Sequence, residues 1–270
     1  YDPVVGGAAL VVIDADASAL VVFKDPATGE VRLACGTGMR TGKGPIGYVR
    51  VFDPVAGGEA LLVIDVDASA LEVFTDPATG APRLAYGSED RKVRVFDPVA
   101  GGKALVVIDV GSEVFGLAFF ADPATGELRI ACGCGDKKVH IYDPVAGGEA
   151  LLVLEGHTDD VMALTVFEDP ATGGLRLASG SDGGSVRIWD LAAGGAALFV
   201  LEGGSSALTT FADPATGETR LVSGSDKTLR VWDVTKGGAA LRVVAFEDGV
   251  SDLAVRGDTS GLFVAHGRRW

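Results

Sequence analysis

Apolar and polar positions along residues 144–190 fall into four short blocks. Ala150–Leu154 is an apolar run that follows Gly147-Gly148, and Val161–Phe167 alternates apolar with small residues. Leu175–Ser179 and Val186–Trp189 are two further blocks. Between them lie a polar loop (Glu155–Asp160), the turn Asp169-Pro170-Ala171-Thr172-Gly173 and a tight connection (Gly180–Ser185). Blocks this short, with turn residues roughly every 8–12 positions, predict an antiparallel four-stranded unit. The turn has a mechanism: Asp accepts local backbone N–H groups, Pro presets φ, and Gly tolerates positive φ. It recurs at Asp25–Gly29, Asp76–Gly80, Asp122–Gly126 and Asp213–Gly217, which marks it as a structural hairpin.

The four-block unit repeats every 43–51 residues and closes each time on an aromatic–aspartate pair. These pairs are Tyr1-Asp2, Phe52-Asp53, Phe96-Asp97, Tyr142-Asp143, Trp189-Asp190 and Trp232-Asp233. A period of that length is the mark of a propeller built from four-stranded blades. The innermost strand appears six times, each with a leucine: Leu20, Leu71, Leu117, Leu164, Leu208 and Leu253. The expectation is therefore an all-β, six-bladed β-propeller occupying residues 1–270 as one domain. An outer strand lies in residues 1–13, repeats follow at about 14–64, 65–108, 109–154, 155–201 and 202–245, and 246–270 completes the first blade. In that scheme Ala8–Ile13 is an outer strand, Leu262–Gly267 a second strand, and Trp270 meets Tyr1 to close the ring, which removes exposed strand edges.

His157 after Gly156, the run Ser179-Gly180-Ser181-Asp182, and Trp189-Asp190 together resemble the WD40 repeat. The resemblance is sharp in the repeats ending at Trp189 and Trp232 and weaker elsewhere. It implies a propeller in which Asp, His, Ser/Thr and Trp form a tetrad that knits each blade, matched here by Asp182, His157, Ser179 and Trp189. Asp182 lies one residue further from its Trp than Asp226 does from Trp232. The tetrad decays in other repeats: the His slot becomes Gly204, the Ser slot Cys35, Tyr86, Cys132 or His266, and Trp becomes Phe52, Phe96 or Tyr142. The family commonly has seven blades, so a seventh repeat missing from these residues is the alternative architecture. Its top rim, built from the loop after each outer strand and the hairpin joining the second and third strands, is the usual partner site.

Charge changes what such a rim would bind. The formal net charge is −14, which disfavours nucleic acid as a general partner, so none is expected. The rim loops carry Asp14 and Asp16, Asp65 and Asp67, Asp109 and Glu113, and Glu155, Asp159 and Asp160. The hairpins add Arg91, Lys92, Lys137, Lys138 and Lys227. An acidic rim that captures a basic peptide or protein follows, because such a field selects sign and speeds association. No apolar run reaches the roughly 20 residues of a membrane span. Three cysteines, two of them in one repeated slot, point to reduced thiols and a cytoplasmic or otherwise intracellular setting. The chain contains no Asn, so no N-glycosylation site exists in it. A chain opening on Tyr1 reads as a piece of a larger protein, here a monomeric domain.

Thr37–Gly47 lengthens one hairpin and accounts for the 51-residue spacing. Its Gly42-Lys43 fails as a phosphate loop, since Thr37 stands where a glycine is needed and Gly44 follows the lysine. Arg40 and Lys43 make it a candidate recognition loop. Glu72 and Asp252 are the carboxylates expected to line the channel. Phe23, Phe74, Phe120, Phe167 and Phe211 are expected beneath the Asp-Pro hairpins, where an open cluster would make a second apolar site. Catalytic residues are not found. His140, His157 and His266 occupy non-equivalent slots, and there is no Gly-x-Ser-x-Gly elbow. Cys132-Gly133-Cys134 lacks the spacing and second pair of a zinc site, so neither metal nor cofactor is expected. The reading is a non-catalytic interaction scaffold. A ligand-binding, lectin-like or hydrolytic propeller is the rival.

Overall fold

The computed structural model describes Ile13, Ala17, residues 19–37, 47–203, 206–225 and 227–246, and the backbone alone of 40–41, 44–45, 253–258 and 261–266. The chain forms two compact units, Tyr1–Val114 with Pro144–Gly148, and Phe115–Asp143 with Glu149–Trp270. The described residues are all-β: five four-stranded antiparallel sheets and two small hairpins.

The first unit holds two sheets. In one, β1 (Ala19–Lys24), β2 (Val31–Thr37), β5 (Tyr48–Phe52) and β6 (Leu62–Ile64) lie side by side, with the small hairpin β3 (Arg40–Thr41) and β4 (Gly44–Pro45) inserted between β2 and β5. The other takes β7 (Ala70–Thr75), β8 (Pro82–Gly87), β9 (Lys92–Phe96) and β10 (Val106–Asp109) in sequence order. A single core joins them, with Ala34, Val49 and Val51 from the first sheet against Leu71, Leu84, Tyr86 and Phe96 from the second. Leu71 is buried by this packing. Leu20, its equivalent on β1, and Val22 on the same face are 57% and 60% exposed, because no described residue covers that side of β1.

The second unit continues with β11 (Val114–Ala121), β12 (Leu128–Cys134), β13 (Val139–Tyr142) and β14 (Leu152–Leu154). Its next sheet contains β15 (Val161–Glu168), β16 (Leu175–Ser181), β17 (Ser185–Asp190) and β18 (Phe199–Glu202). A last full sheet contains β19 (Ala207–Ala212), β20 (Thr219–Ser225), β21 (Thr228–Asp233) and β22 (Arg242–Ala245), and β23 (Leu253–Asp258) pairs with β24 (Gly261–His266). Trp189 packs with Ala131, Ile141 and Leu177, and Trp232 with Ala178, Ile188 and Leu221. Each tryptophan thus bridges its own sheet to the preceding one, burying a large apolar area at every step.

The strand template of residues 144–190 is reproduced with ends shifted by one or two residues. The outer strand is shorter than its apolar run, and only one of its faces is covered. Leu154 is buried while Leu151 and Val153 remain exposed. The proposed strand Ala8–Ile13, apart from Ile13 itself, and the meeting of Trp270 with Tyr1 lie outside the described residues, as do Asp252, Gly204 and Asp226. Phe23, Phe74, Phe120 and Phe167 are buried in the sheet cores. For these four, packing is the outcome, and they form no open apolar cluster.

Candidate interaction rim and the buried hydrogen-bond chain

In the sheet β15–β18, Ser179 and Trp189 sit on adjacent strands, and His157 arrives on the loop before β15. Trp189 Nε1 donates to Ser179 Oγ at 2.8 Å, and Ser179 Oγ lies 2.6 Å from His157 Nε2. Since Ser179 accepts from the indole, its own proton is assigned to His157 Nε2, leaving the imidazole N–H at Nδ1. Ser185 Oγ stands 3.5 Å from that Nδ1. Burial, with the nearby Arg187 charge adding to it, lowers the His157 pKa to about 4, so the ring is neutral. Asp182 does not enter this chain. Its side chain is exposed, and its backbone N–H donates to Asp160 O at 3.1 Å. The hairpin from Ser181 to Ser185 spans as many residues as Ser88–Lys92 and Cys134–Lys138, but Gly183 stands at the position of Asp90 and Asp136, Asp182 comes one residue earlier, and Ser185 stands beside the imidazole instead. In the next sheet Trp232 Nε1 donates to Ser223 Oγ at 2.9 Å. Elsewhere stacking replaces the bond, with Tyr86 on Phe96 at 5.5 Å between ring centroids.

The loop after each outer strand meets the hairpin of its own sheet at one end. Val110 N donates to Arg91 O at 2.9 Å in the first unit, as Gly203 N does to Gly184 O at 2.8 Å in the second. Asp65, Asp109 and Asp159 are exposed, and Asp67, Glu113 and Asp160 are partly buried. Cations of the hairpins answer some of the acids: Lys92 Nζ lies 3.2 Å from Asp109, Lys138 Nζ 2.6 Å from Glu155, and Lys137 Nζ donates to Thr158 O at 2.9 Å. Asp14, Asp16 and Lys43 lie outside the described residues, and Arg40 is described by its backbone, which pairs with Pro45 in the small hairpin.

At the other end of the sheets is a feature the sequence reading missed. Five arginines each stand between the Asp of the Asp-Pro turn and the Asp of the aromatic–Asp pair. Arg83 lies 3.2 Å from Asp76 and 3.4 Å from Asp97, and Arg176 lies 3.2 Å from Asp169 and 2.8 Å from Asp190. Arg32, Arg129 and Arg220 repeat the arrangement with Asp25 and Asp53, Asp122 and Asp143, and Asp213 and Asp233. Each arginine sits seven residues after the turn aspartate, a spacing that the sequence displays five times. The pair aspartates also cap the next turn: Asp53 Oδ1 accepts from Val55 N and Ala56 N. Donation from Ala56, helped by Val55 and Arg32, holds the Asp53 carboxyl below the usual carboxylate range.

Glu72 on β7 is partly buried, and loss of solvent raises its pKa against a weaker stabilising bond from Val73 N. Cys35, Cys132 and Cys134 are all free and buried.

A family profile described as "WD domain, G-beta repeat" matches residues 148–190 and 195–233. No curated protein sequence matches the chain. Among solved structures, the computationally designed Ika8 protein is similar in fold, with a TM-score of 0.60 and 24% identity over 92% of this chain and 70% of that one.

Proposed function

A chain that carries WD40 repeats at residues 148–190 and 195–233 is, we propose, a six-bladed interaction scaffold that presents an acidic rim to a basic peptide or protein. WD40 repeats generally mediate protein–protein interaction and typically do no chemistry themselves. The observation that carries the more specific reading is the exposure of Asp65, Asp109 and Asp159 on rim loops of a chain with net charge −14. Long-range attraction of this kind acts mainly on association rate and sign selection. The Thr37–Gly47 insertion, with Arg40 and Lys43, adds a contrasting positive element to the same set of loops.

Binding of lysine- and arginine-rich peptides, followed by fluorescence anisotropy across a salt series, tests this reading. Changing Asp65, Asp67, Asp159 and Asp160 together to Lys should weaken binding on the order of 10-fold or more at low salt and flatten its salt dependence. Equal affinity of the two proteins at low salt would overturn it.

A further inference from the structure

We propose that the β12–β13 hairpin binds one divalent transition-metal ion of the zinc class through Cys134 Sγ, an Asp136 carboxylate oxygen and His140 Nε2. These three ligand atoms lie within 4.8 Å of one another. Tetrahedral zinc, with Zn–S near 2.3 Å and Zn–N or Zn–O near 2.1 Å, needs ligand atoms roughly 3.3–3.6 Å apart. The contraction required is about 1 Å. Asp136 lies in the exposed turn and can swing to supply it.

The register explains how a sequence without zinc-site spacing brings the ligands together. Cys132 is paired with His140 across the ladder, so their side chains leave the same face of the sheet. Cys134 is two residues along β12 and joins that face, while the tight turn returns Asp136 over it. His140 Nε2 already lies 2.8 Å from Asp136 Oδ2. Cys134 is buried below the pair, its thiol 3.4 Å from Cys132 O. Lys137 and Lys138, the cations that would oppose a metal, are drawn away to Thr158 O and Glu155.

The other sheets provide an internal comparison. Opposite the position of Cys132 stands an arginine in all four: Arg50, Arg94, Arg187 and Arg230. Two residues after that position stands a hydroxyl: Thr37, Ser88, Ser181 and Ser225. In the β8–β9 hairpin this yields an ordinary ion pair, Arg94 to Asp90 at 2.5 Å, and Arg91 takes the same φ of 70° as Lys137. The β12–β13 hairpin therefore keeps the turn and the aspartate but exchanges hydroxyl for thiol and guanidinium for imidazole. Both exchanges convert non-ligands into ligands of borderline-soft metals.

Burial keeps the Cys134 thiol protonated, so the ion binds with release of that proton to solvent and becomes thiolate-bound. A fourth position, on the exposed Asp136 side, is left for water.

Titration of the reduced chain with Co²⁺, read by absorption, tests the site. One ion per chain should bind with a thiolate-to-cobalt charge-transfer band, zinc should displace it, and added zinc should raise Tm. The double variant C134S/H140R installs the residues of the β8–β9 hairpin and so keeps a turn that already folds with them. It should lose the band and weaken zinc binding beyond the roughly 10–100-fold typical of losing an outer-sphere partner. C35S, which changes a thiol in another sheet, should behave as the parent. Absence of the band in the parent chain overturns the proposal without any variant, as does a band that survives in C134S/H140R.

Discussion

At the scale of single residues, the chain Trp189–Ser179–His157–Ser185 shows how a buried polar network is made affordable. The Trp189, Ser179 and His157 protons each have an acceptor, and the imidazole is neutral. Replacing His157 with Ala leaves the Ser179 hydroxyl without its partner and should cost about 1–3 kcal/mol. His140→Ala, on a half-buried ring that faces Asp136, should cost less. The two can be ranked by urea unfolding at pH 7.5, and equal midpoints would count against the network. His157 also gives a pH signature. Its folded pKa of about 4 lies below the unfolded value near 6.5, so the unfolded chain binds the proton more readily between those limits. Stability should fall as pH drops from about 6.5 to 4, and His157→Ala should remove that slope. His157, Ser179 and Trp189 were legible because their types and spacing match a known tetrad. Asp182 stays out of the chain, exposed and one residue before the position that Asp90 and Asp136 hold in their hairpins, a difference of direction that residue type alone does not report.

At the scale of elements, the sheets stack through a turn as well as through side chains. Among the described residues, the Gly-Gly turns at Gly101, Gly147, Gly194 and Gly237 lie on the outer strand of the preceding sheet of their unit. A Cβ on Gly101 would come within 2.6 Å of Leu62 Cδ1, and one on Gly237 within 2.7 Å of Phe199 Cδ1. Both glycines also have positive φ, 67° and 64°. Gly101→Ala should therefore destabilise by about 1–3 kcal/mol, from left-handed strain and displacement of Leu62. Gly126 is the control, with φ of 74° and open space around its Cβ direction. Gly126→Ala carries strain alone, so an equal loss in both variants, measured as Tm shifts, would refute the packing component. Strand positions and turns were readable because period-two alternation and Asp-Pro-Ala-Thr-Gly are local signals. The outer strands were harder, since Val107, Val153 and Val200 are apolar yet exposed, and composition cannot say which faces another sheet covers. The nearness of His140 to Cys134 was similarly hidden, because it depends on ladder register.

At the scale of the whole molecule, 37 acidic and 23 basic residues are distributed unevenly in role. Among the described residues, five arginines are committed to aspartate pairs at the Asp-Pro end of their own sheets, which leaves fewer cations for the acids of the loops at the other end of each sheet. The committed aspartates set the acid limit of the fold. Asp190 is held below the usual range by donation from Ala193 and Ala192 together with Arg176. Asp233 is lowered to about 2, chiefly by the Thr235 hydroxyl and then by its backbone N–H and Lys236, against some loss of solvent. For a carboxylate with a depressed folded pKa, the stabilisation is complete above the unfolded value near 3.9 and disappears as pH falls through the folded value. A second acid transition is therefore expected between about pH 4 and 2, separate from the His157 slope above pH 4. Changing Arg176 and Asp190 together to Ala should remove part of this lower transition and leave the upper slope unchanged, because neither residue contacts His157. Moderate salt should shallow the lower transition as well, since these pairs are only partly buried. Circular dichroism across pH 7 to 1.5 distinguishes the outcomes. A single transition centred above pH 4, unaffected by the Arg176/Asp190 change, would show that the arginine–aspartate rungs do not govern acid stability.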